Sequence, residues 1–171
     1  MLAAIETKLF KRTFWVITAG ANSNLTIIRS GFGRLNILIA DMAAEVLVRP
    51  NSVIQNAVLA YQNQNFEPIT NFELVQPGSE FASRVWREIS AIPVSETISY
   101  GELASRSASP AAVRAVGTAC GKNRIPIFIP CHRVIPTTGG VGKYAYGIKL
   151  KEQLLEHELG KHRIRKSALR K

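Results

Sequence analysis

A break at Gln76-Pro77-Gly78-Ser79 constrains this chain more than any other feature, because the patterning on its two sides differs in kind. Proline followed by glycine punctuates regular structure. Before the break, short apolar runs alternate with Asn, Gln and Thr. Thr13 to Ala19, Leu25 to Ile28 and Leu35 to Ala40 read as strands, with a turn at Gly20-Ala21-Asn22-Ser23-Asn24 between the first two. Asn51 to Gln64 reads as a helix capped by Ser52, with Val53, Asn56, Ala57, Ala60 and Tyr61 on one face. This stretch holds neither Cys nor His, so it offers no evident chemistry and reads as structural.

After the break the period changes. Phe81, Val85, Trp86 and Ile89 recur at helical spacing until Pro93, the stripe of a helix turned to a core. Ser99-Tyr100-Gly101-Glu102 has the form of a capping box and opens a helix to about Ser107. Ser109-Pro110 starts another, running to about Lys122. Two short helices joined by a brief turn make a helix-turn-helix candidate. On the second, Val113, Val116, Gly117 and Cys120 form the buried stripe, and Ala111, Arg114, Thr118 and Lys122 the outer face. The fold class is therefore α/β (α+β). A small mixed N-terminal domain over 1–76 precedes a mainly helical domain over 77–160 and a basic tail over 161–171.

Of the 171 residues 46% are hydrophobic and 20% charged, the balance of a globular chain with a core. No apolar run approaches the ~20 residues that span a bilayer, and no signal peptide is recognisable. Two cysteines make no disulfide framework, so a reduced cytoplasm is expected. Four-cysteine zinc sites, HExxH and CxxC are absent from the sequence, and no metal is expected. Charge is lopsided. Residues 1–80 hold six Lys/Arg and six Asp/Glu, while residues 81–171 hold sixteen and six, so the whole net +10 falls in the second stretch. Such an excess suits a polyanion such as nucleic acid, or simply a solubilising surface.

The chemistry concentrates at one place. Ile125-Pro126-Ile127-Phe128-Ile129 reads as a buried strand ending in Pro130-Cys131-His132-Arg133-Val134. A thiol beside cationic neighbours is a candidate nucleophile. Against this, adjacent residues on a strand point to opposite sides, which would make the pairing with His132 coincidental. Glu158 lies one helical turn after Leu154 and Leu155, so it points inward and needs a partner such as His132; a boundary Glu reaching water is the alternative. Lys151 spoils that stripe a turn earlier. Gly139-Gly140-Val141-Gly142 lacks the GK[ST] of a phosphate loop and reads as a tight loop beside a pocket.

Residues 81–158 resemble the O6-alkylguanine-DNA alkyltransferases, the methylated-DNA–protein-cysteine methyltransferases. The blocks that carry the likeness are Ile98-Ser99-Tyr100, Val113-Arg114-Ala115-Val116-Gly117, Asn123 and Pro130-Cys131-His132-Arg133-Val134, together with their spacing. The nearest likeness is to the alkyltransferase half of the bacterial adaptive-response protein Ada, and residues 1–76 match only loosely. The resemblance implies a suicidal, single-turnover methyltransferase of DNA repair. Its partner is double-stranded DNA containing alkylated guanine, with O4-alkylthymine left open. It implies no cofactor, and a monomer is expected. Cys131 would accept the alkyl group after base flipping, His132 would be its base through a bridging water, and Glu158 would orient that His. Tyr100 would assist the departing guanine, and Asn123 would tie the helix pair to the active-site strand. Arg114 would enter the duplex, and Gly101, Ser109 and Thr137 would contact the DNA backbone. Val134, Tyr144, Ala145 and Tyr146 would line the pocket, Val134 through its carbonyl.

Two departures stand out. Tyr146 occupies a position that is small in mammalian members, so the pocket should favour small alkyl groups over O6-benzylguanine. Ala145 lacks the hydroxyl that some members direct at the lesion oxygen. The zinc domain of full-length Ada has no counterpart, so phosphotriester repair is not expected. The tail from Lys161 to Lys171 carries six basic residues, either a salt-sensitive DNA arm or a solvated end. Three rival readings are a noncatalytic alkyltransferase-like binder, a nonspecific DNA-binding module and a cysteine hydrolase. The first lacks the acceptor Cys, the second leaves the Cys-His-Tyr-Asn set unexplained, and the third would turn over repeatedly.

Overall fold

The computed structural model describes residues 1–20, 25–108 and 110–159, so the expected Asn-rich turn, Ser109 and the basic tail lie outside the described residues. Packing divides the chain into two compact units: Met1–Pro77 with Arg124–Phe128, and Gly78–Asn123 with the described residues from Ile129 onward. Among the described residues no helix is long and apolar enough to cross a membrane.

The first unit is built on a five-stranded sheet. Strands β1 (Leu2–Leu9), β2 (Arg12–Ala19) and β3 (Thr26–Phe32) form an antiparallel meander. The β1–β2 hairpin closes through Phe10 and Lys11, whose φ of 51° and 64° match the left-handed turn that suits strand twist. A short helix α1 (Leu35–Leu38) follows, then β4 (Val46–Val48), helix α2 (Ser52–Gln62) and β5 (Glu73–Leu74). β4 pairs parallel to β1 and β5 parallel to β3, giving the order β4-β1-β2-β3-β5.

Several expectations change here. Leu35 to Ala40 contains α1 rather than a strand: Gly33, at φ 104°, turns the chain off the sheet and leaves Ile37 exposed. α2 is capped by Asn51, whose side chain accepts from Ile54 N at 3.1 Å, not by Ser52. Its buried face is Ile54, Ala57, Val58 and Tyr61, so Ala57 and Tyr61 are buried as expected and Val53 is exposed.

In the second unit, α3 (Glu80–Ser90) is capped by Ser79 and buries Ala82, Val85, Trp86 and Ile89, as its stripe requires. Trp86 Nε1 donates to Ala119 O at 2.9 Å, which fixes the ring. A Cβ on Gly78 would fall 2.5 Å from two atoms of that ring. Gly78→Ala is therefore expected to cost about 1–3 kcal/mol through forced repacking. Urea unfolding checks this, and a variant as stable as the parent would show that the ring moves freely.

Strand β6 (Ile98–Ser99) leads directly into α4 (Tyr100–Arg106), where Ser99 Oγ accepts from Glu102 N at 3.0 Å. Helix α5 (Val113–Gly121) packs on α3 and α4. It begins three residues after Pro110, with Ala112 as an N-cap lacking a side-chain bond, so the expected start at Ser109-Pro110 is too early. Val116 is buried as expected and Gly117 and Cys120 are half-buried, but Val113 is exposed and Ala119 is buried in addition. The outer face of Ala111, Arg114, Thr118 and Lys122 is exposed as expected. A 3-10 turn over Cys131–Arg133 runs into β7 (Val134–Ile135), which pairs parallel to β6, and α6 (Ile148–Leu159) ends the described chain.

Residues 125–129 are buried but form no strand. Pro126 and Pro130 remove backbone donors, and Ile127 sits at φ 76°. Arg124–Phe128 packs instead within the first unit: Arg124 O accepts from Ser30 N at 2.9 Å, and Pro126 O from Ser30 Oγ at 2.7 Å.

Candidate active site

The parallel pairing of Ile98 with Val134 brings the start of α4 alongside the turn that holds Cys131. Proline at position 130 enters that turn at φ −80° and ψ 60°, and Cys131 N donates back to Ile129 O at 2.8 Å. Cys131 is buried, with 8% of the residue exposed. Asn123, at the end of α5, donates its amide to Cys131 Sγ at 3.2 Å and to Ile129 O at 2.8 Å. It thus ties the helix pair to a tight turn, and the active-site strand expected from sequence does not exist. Burial pushes the Cys131 thiol up, while the Asn123 hydrogen bond and the charge of Lys151 pull it down.

A turn, unlike a strand, does not send neighbours to opposite faces. His132 is fully buried, with Nε2 2.9 Å from Glu158 Oε1. Its Nδ1 is buried with no hydrogen-bond partner among the described residues. Glu158 also receives Arg133: Nε donates to Oε2 at 2.8 Å and the second guanidinium nitrogen to Oε1 at 3.1 Å. The remaining terminal nitrogen donates to Ile92 O at 2.6 Å. Burial raises the Glu158 carboxyl, but the charge and hydrogen bond of His132 and those of Arg133 outweigh it and hold it far below the usual carboxylate range.

Two phenols complete the cluster. Burial, then the charges of Cys120 and Cys131, push Tyr100 up to about 12. Burial also carries Tyr144 well above its ordinary value, helped by the charges of Cys131, Tyr146 and Glu158. Its hydroxyl has no partner among the described residues. The Tyr144 and Tyr146 rings meet edge-on with centroids 5.9 Å apart. Val134 O accepts from Lys151 Nζ at 2.7 Å.

The fold thus gathers Cys131, His132, Glu158, Asn123, Tyr100, Val134 and Tyr144. Arg114, Thr137 and Ala145 are exposed and Gly101 half-buried. None of these four is hydrogen-bonded to the thiol cluster among the described residues, and Ser109 lies outside those residues. Sequence reasoning missed the duties of Arg133 and Lys151. A lone cation inside an apolar run was the signal for the first, and the interruption of the α6 stripe for the second.

A buried thiol held by an amide donor stands beside an imidazole locked to a carboxylate, an arrangement able to activate a cysteine as a nucleophile. A family profile described as "6-O-methylguanine DNA methyltransferase, DNA binding domain" matches residues 80–160. The methylated-DNA–protein-cysteine methyltransferase of Mycolicibacterium paratuberculosis is 49% identical over 88 residues, covering 52% of this chain and 53% of that protein. The bifunctional transcriptional activator/DNA repair enzyme Ada of Escherichia coli is 43% identical over 101 residues, 59% of this chain and 28% of Ada. The chain spans about half the length of some curated relatives it matches and about a quarter of others. The crystal structure of Mycobacterium tuberculosis O6-methylguanine methyltransferase aligns over 93% of both chains at TM-score 0.74 and 31% identity. A Mycobacterium tuberculosis OGT structure in complex with DNA aligns over 92% of both at TM-score 0.67 and 32% identity. This chain belongs to the O6-methylguanine-DNA methyltransferase family.

Proposed function

We propose that the protein repairs duplex DNA by moving a small alkyl group from O6 of guanine irreversibly onto Cys131. The observation that carries this reading is the joint placement of Asn123 on the Cys131 sulfur and of the neighbouring His132 on Glu158. Cys131 is too deeply buried to ionise unaided, so its proton passes through a bridging water to His132 Nδ1, the ring nitrogen that has no partner among the described residues. Sulfur attacks the alkyl carbon in line with the C–O bond. The S–C bond forms, the C–O bond breaks, and guanine leaves with the bonding electrons. Tyr100, neutral well past physiological pH, supplies a hydrogen bond to the charge that develops on the leaving base. The thioether is stable, so each molecule acts once, and the chemistry calls for no cofactor.

The stacked lesion must be flipped out, at a cost of a few kcal/mol. Residues from about 77 onward do the chemistry and bind DNA, and residues 1–76 support them. The exposed face of α5, with Arg114 and Lys122, approaches the duplex. A Cβ at Gly101 would meet only Ser99 Oγ at 3.8 Å, so internal packing does not demand glycine there, and its lack of a side chain lets a phosphate backbone come close. Thr137 and Ser109 join that surface. Val134 O keeps a second lone pair for the guanine amino group, and Tyr144, Ala145 and Tyr146 border the base.

Intact-mass spectrometry after incubation with a duplex carrying O6-methylguanine tests the proposal. One added methyl per molecule, absent from Cys131→Ser, is the expected result. Binding without mass gain would identify a noncatalytic binder, and repeated release of product a hydrolase. The Tyr144–Tyr146 edge contact narrows the pocket, so O6-benzylguanine should inactivate the protein slowly and Tyr146→Gly should accelerate it about tenfold or more. Rapid inactivation of the unmodified protein would remove the size argument.

A further inference from the structure

Lys151 is the buried charge that the proposed transfer leaves unused. It lies on the inner face of α6 with Leu154, Leu155 and Glu158 and is 1% exposed. Glu158 is seven residues on, about 10 Å along the axis at helical rise, and is engaged by His132 and Arg133. Among the described residues no carboxylate pairs with Lys151, and Nζ makes its hydrogen bond to Val134 O at 2.7 Å. The loop above it is tight: a Cβ on Gly142, at φ 75°, would lie 3.9 Å from Nζ and under 3 Å from Pro136. An ammonium sealed from water without an anion is costly.

Few anions are available to it. The titratable groups of this cluster are Cys131 and His132 on the turn, Cys120 on α5, Tyr100 on α4, Tyr144 before α6, and Glu158 on α6 itself. Burial keeps both phenols neutral, and Glu158 is taken. Two thiols remain. Burial carries Cys120 up to about 12. Cys131 alone has an amide donor already on its sulfur, so its thiolate is the better-supported partner. Electrostatics run both ways: burial takes Lys151 down to about 8 against the opposing pull of Cys131 and Cys120, and Lys151 draws the Cys131 thiol down.

We propose that Lys151 is the resident counter-cation of the Cys131 thiolate, anchored by the carbonyl of Val134 that opens the strand after the turn. It is a positioning residue, acting through the charge on sulfur rather than on the substrate. The inference rests on reading Cys131 as the nucleophile.

The test reads the thiolate without DNA. The rate of Cys131 modification by iodoacetamide is followed against pH, with peptide mass mapping to separate Cys131 from Cys120. Lys151→Met should slow Cys131 about tenfold at pH 7 and raise its midpoint by about one unit. Lys151→Arg, which keeps the charge, should restore most of the rate. An unmoved midpoint in a cooperatively folded Lys151→Met protein overturns the proposal. Should that variant fail to fold, Cys131→Ser gives the reciprocal measurement. With the thiolate gone, the 13Cε resonance of Lys151 should titrate at lower pH than in the parent, and identical titrations overturn the proposal equally. Failure of the parent to take methyl from DNA would count against the repair function, not against this pairing.

Discussion

Glu158→Gln should destabilise the protein by about 3–5 kcal/mol, the range for removing one member of a buried ion pair. The substitution keeps shape but removes the charge that both Arg133 and His132 face, with contacts of 2.8, 3.1 and 2.9 Å. Arg133 is left buried with its charge uncompensated, facing a neutral amide that offers one acceptor in place of two, and Ile92 O. The sign of the pH dependence follows from the lowered carboxyl. A group held below its ordinary value of 4.5 contributes its full stabilisation above that value and loses it as pH falls toward the lowered one. The gap between parent and variant should therefore stay constant from pH 7 to about pH 5 and close only in stronger acid. Urea titrations at several pH values measure it. A gap below about 1 kcal/mol at neutral pH would place Glu158 among weak surface pairs and remove it from the site. Methyl transfer should fall with it, because a neutral amide no longer stabilises the positive charge that forms on His132.

What the sequence made legible was set by periodicity and by local hydrogen bonding. The α3 stripe, the Ser99 cap and the exposed side of α5 follow from spacing alone, because each is decided within one or two helical turns. The inward Glu158 was readable for the same reason. The errors share a different cause. Leu35 to Ala40 and Ile125 to Ile129 are apolar without a period, and such runs do not distinguish a strand from an irregular buried segment. Chain reversal at Gly33 and the left-handed Ile127 decided them, and neither shows in composition.

The cap of α2 teaches a narrower lesson. Asn51 and Ser52 are both good caps, and only the bond from Ile54 N to the Asn51 side chain decides between them. In the site, the contacts that close over long stretches of sequence were the hardest to assign. Arg133 meets a carboxylate 25 positions away, and Lys151 a carbonyl 17 positions away. Such distances in sequence leave no local trace beyond a cation where an apolar residue belongs.

Tyr100→Phe should slow methyl transfer about 100- to 1000-fold, the usual effect of deleting one donor aimed at developing charge. Position and protonation both favour that role. The phenol stands at the first residue of α4, beside the turn that β6 and β7 bring together, and with a value of about 12 it keeps its proton under all working conditions. A donor contributes most when negative charge appears on its acceptor, which in the proposed transfer happens as guanine departs. Phenylalanine preserves the ring and its packing, so folding stability and affinity for undamaged duplex should change little. The iodoacetamide reactivity of Cys131 should likewise hold, since no leaving base is involved. Single-turnover kinetics on an O6-methylguanine duplex, with binding measured separately, separates these quantities. A rate within about threefold of the parent would mean that leaving-group stabilisation comes from elsewhere, with the Tyr144 hydroxyl, which has no partner among the described residues, as the next donor to remove.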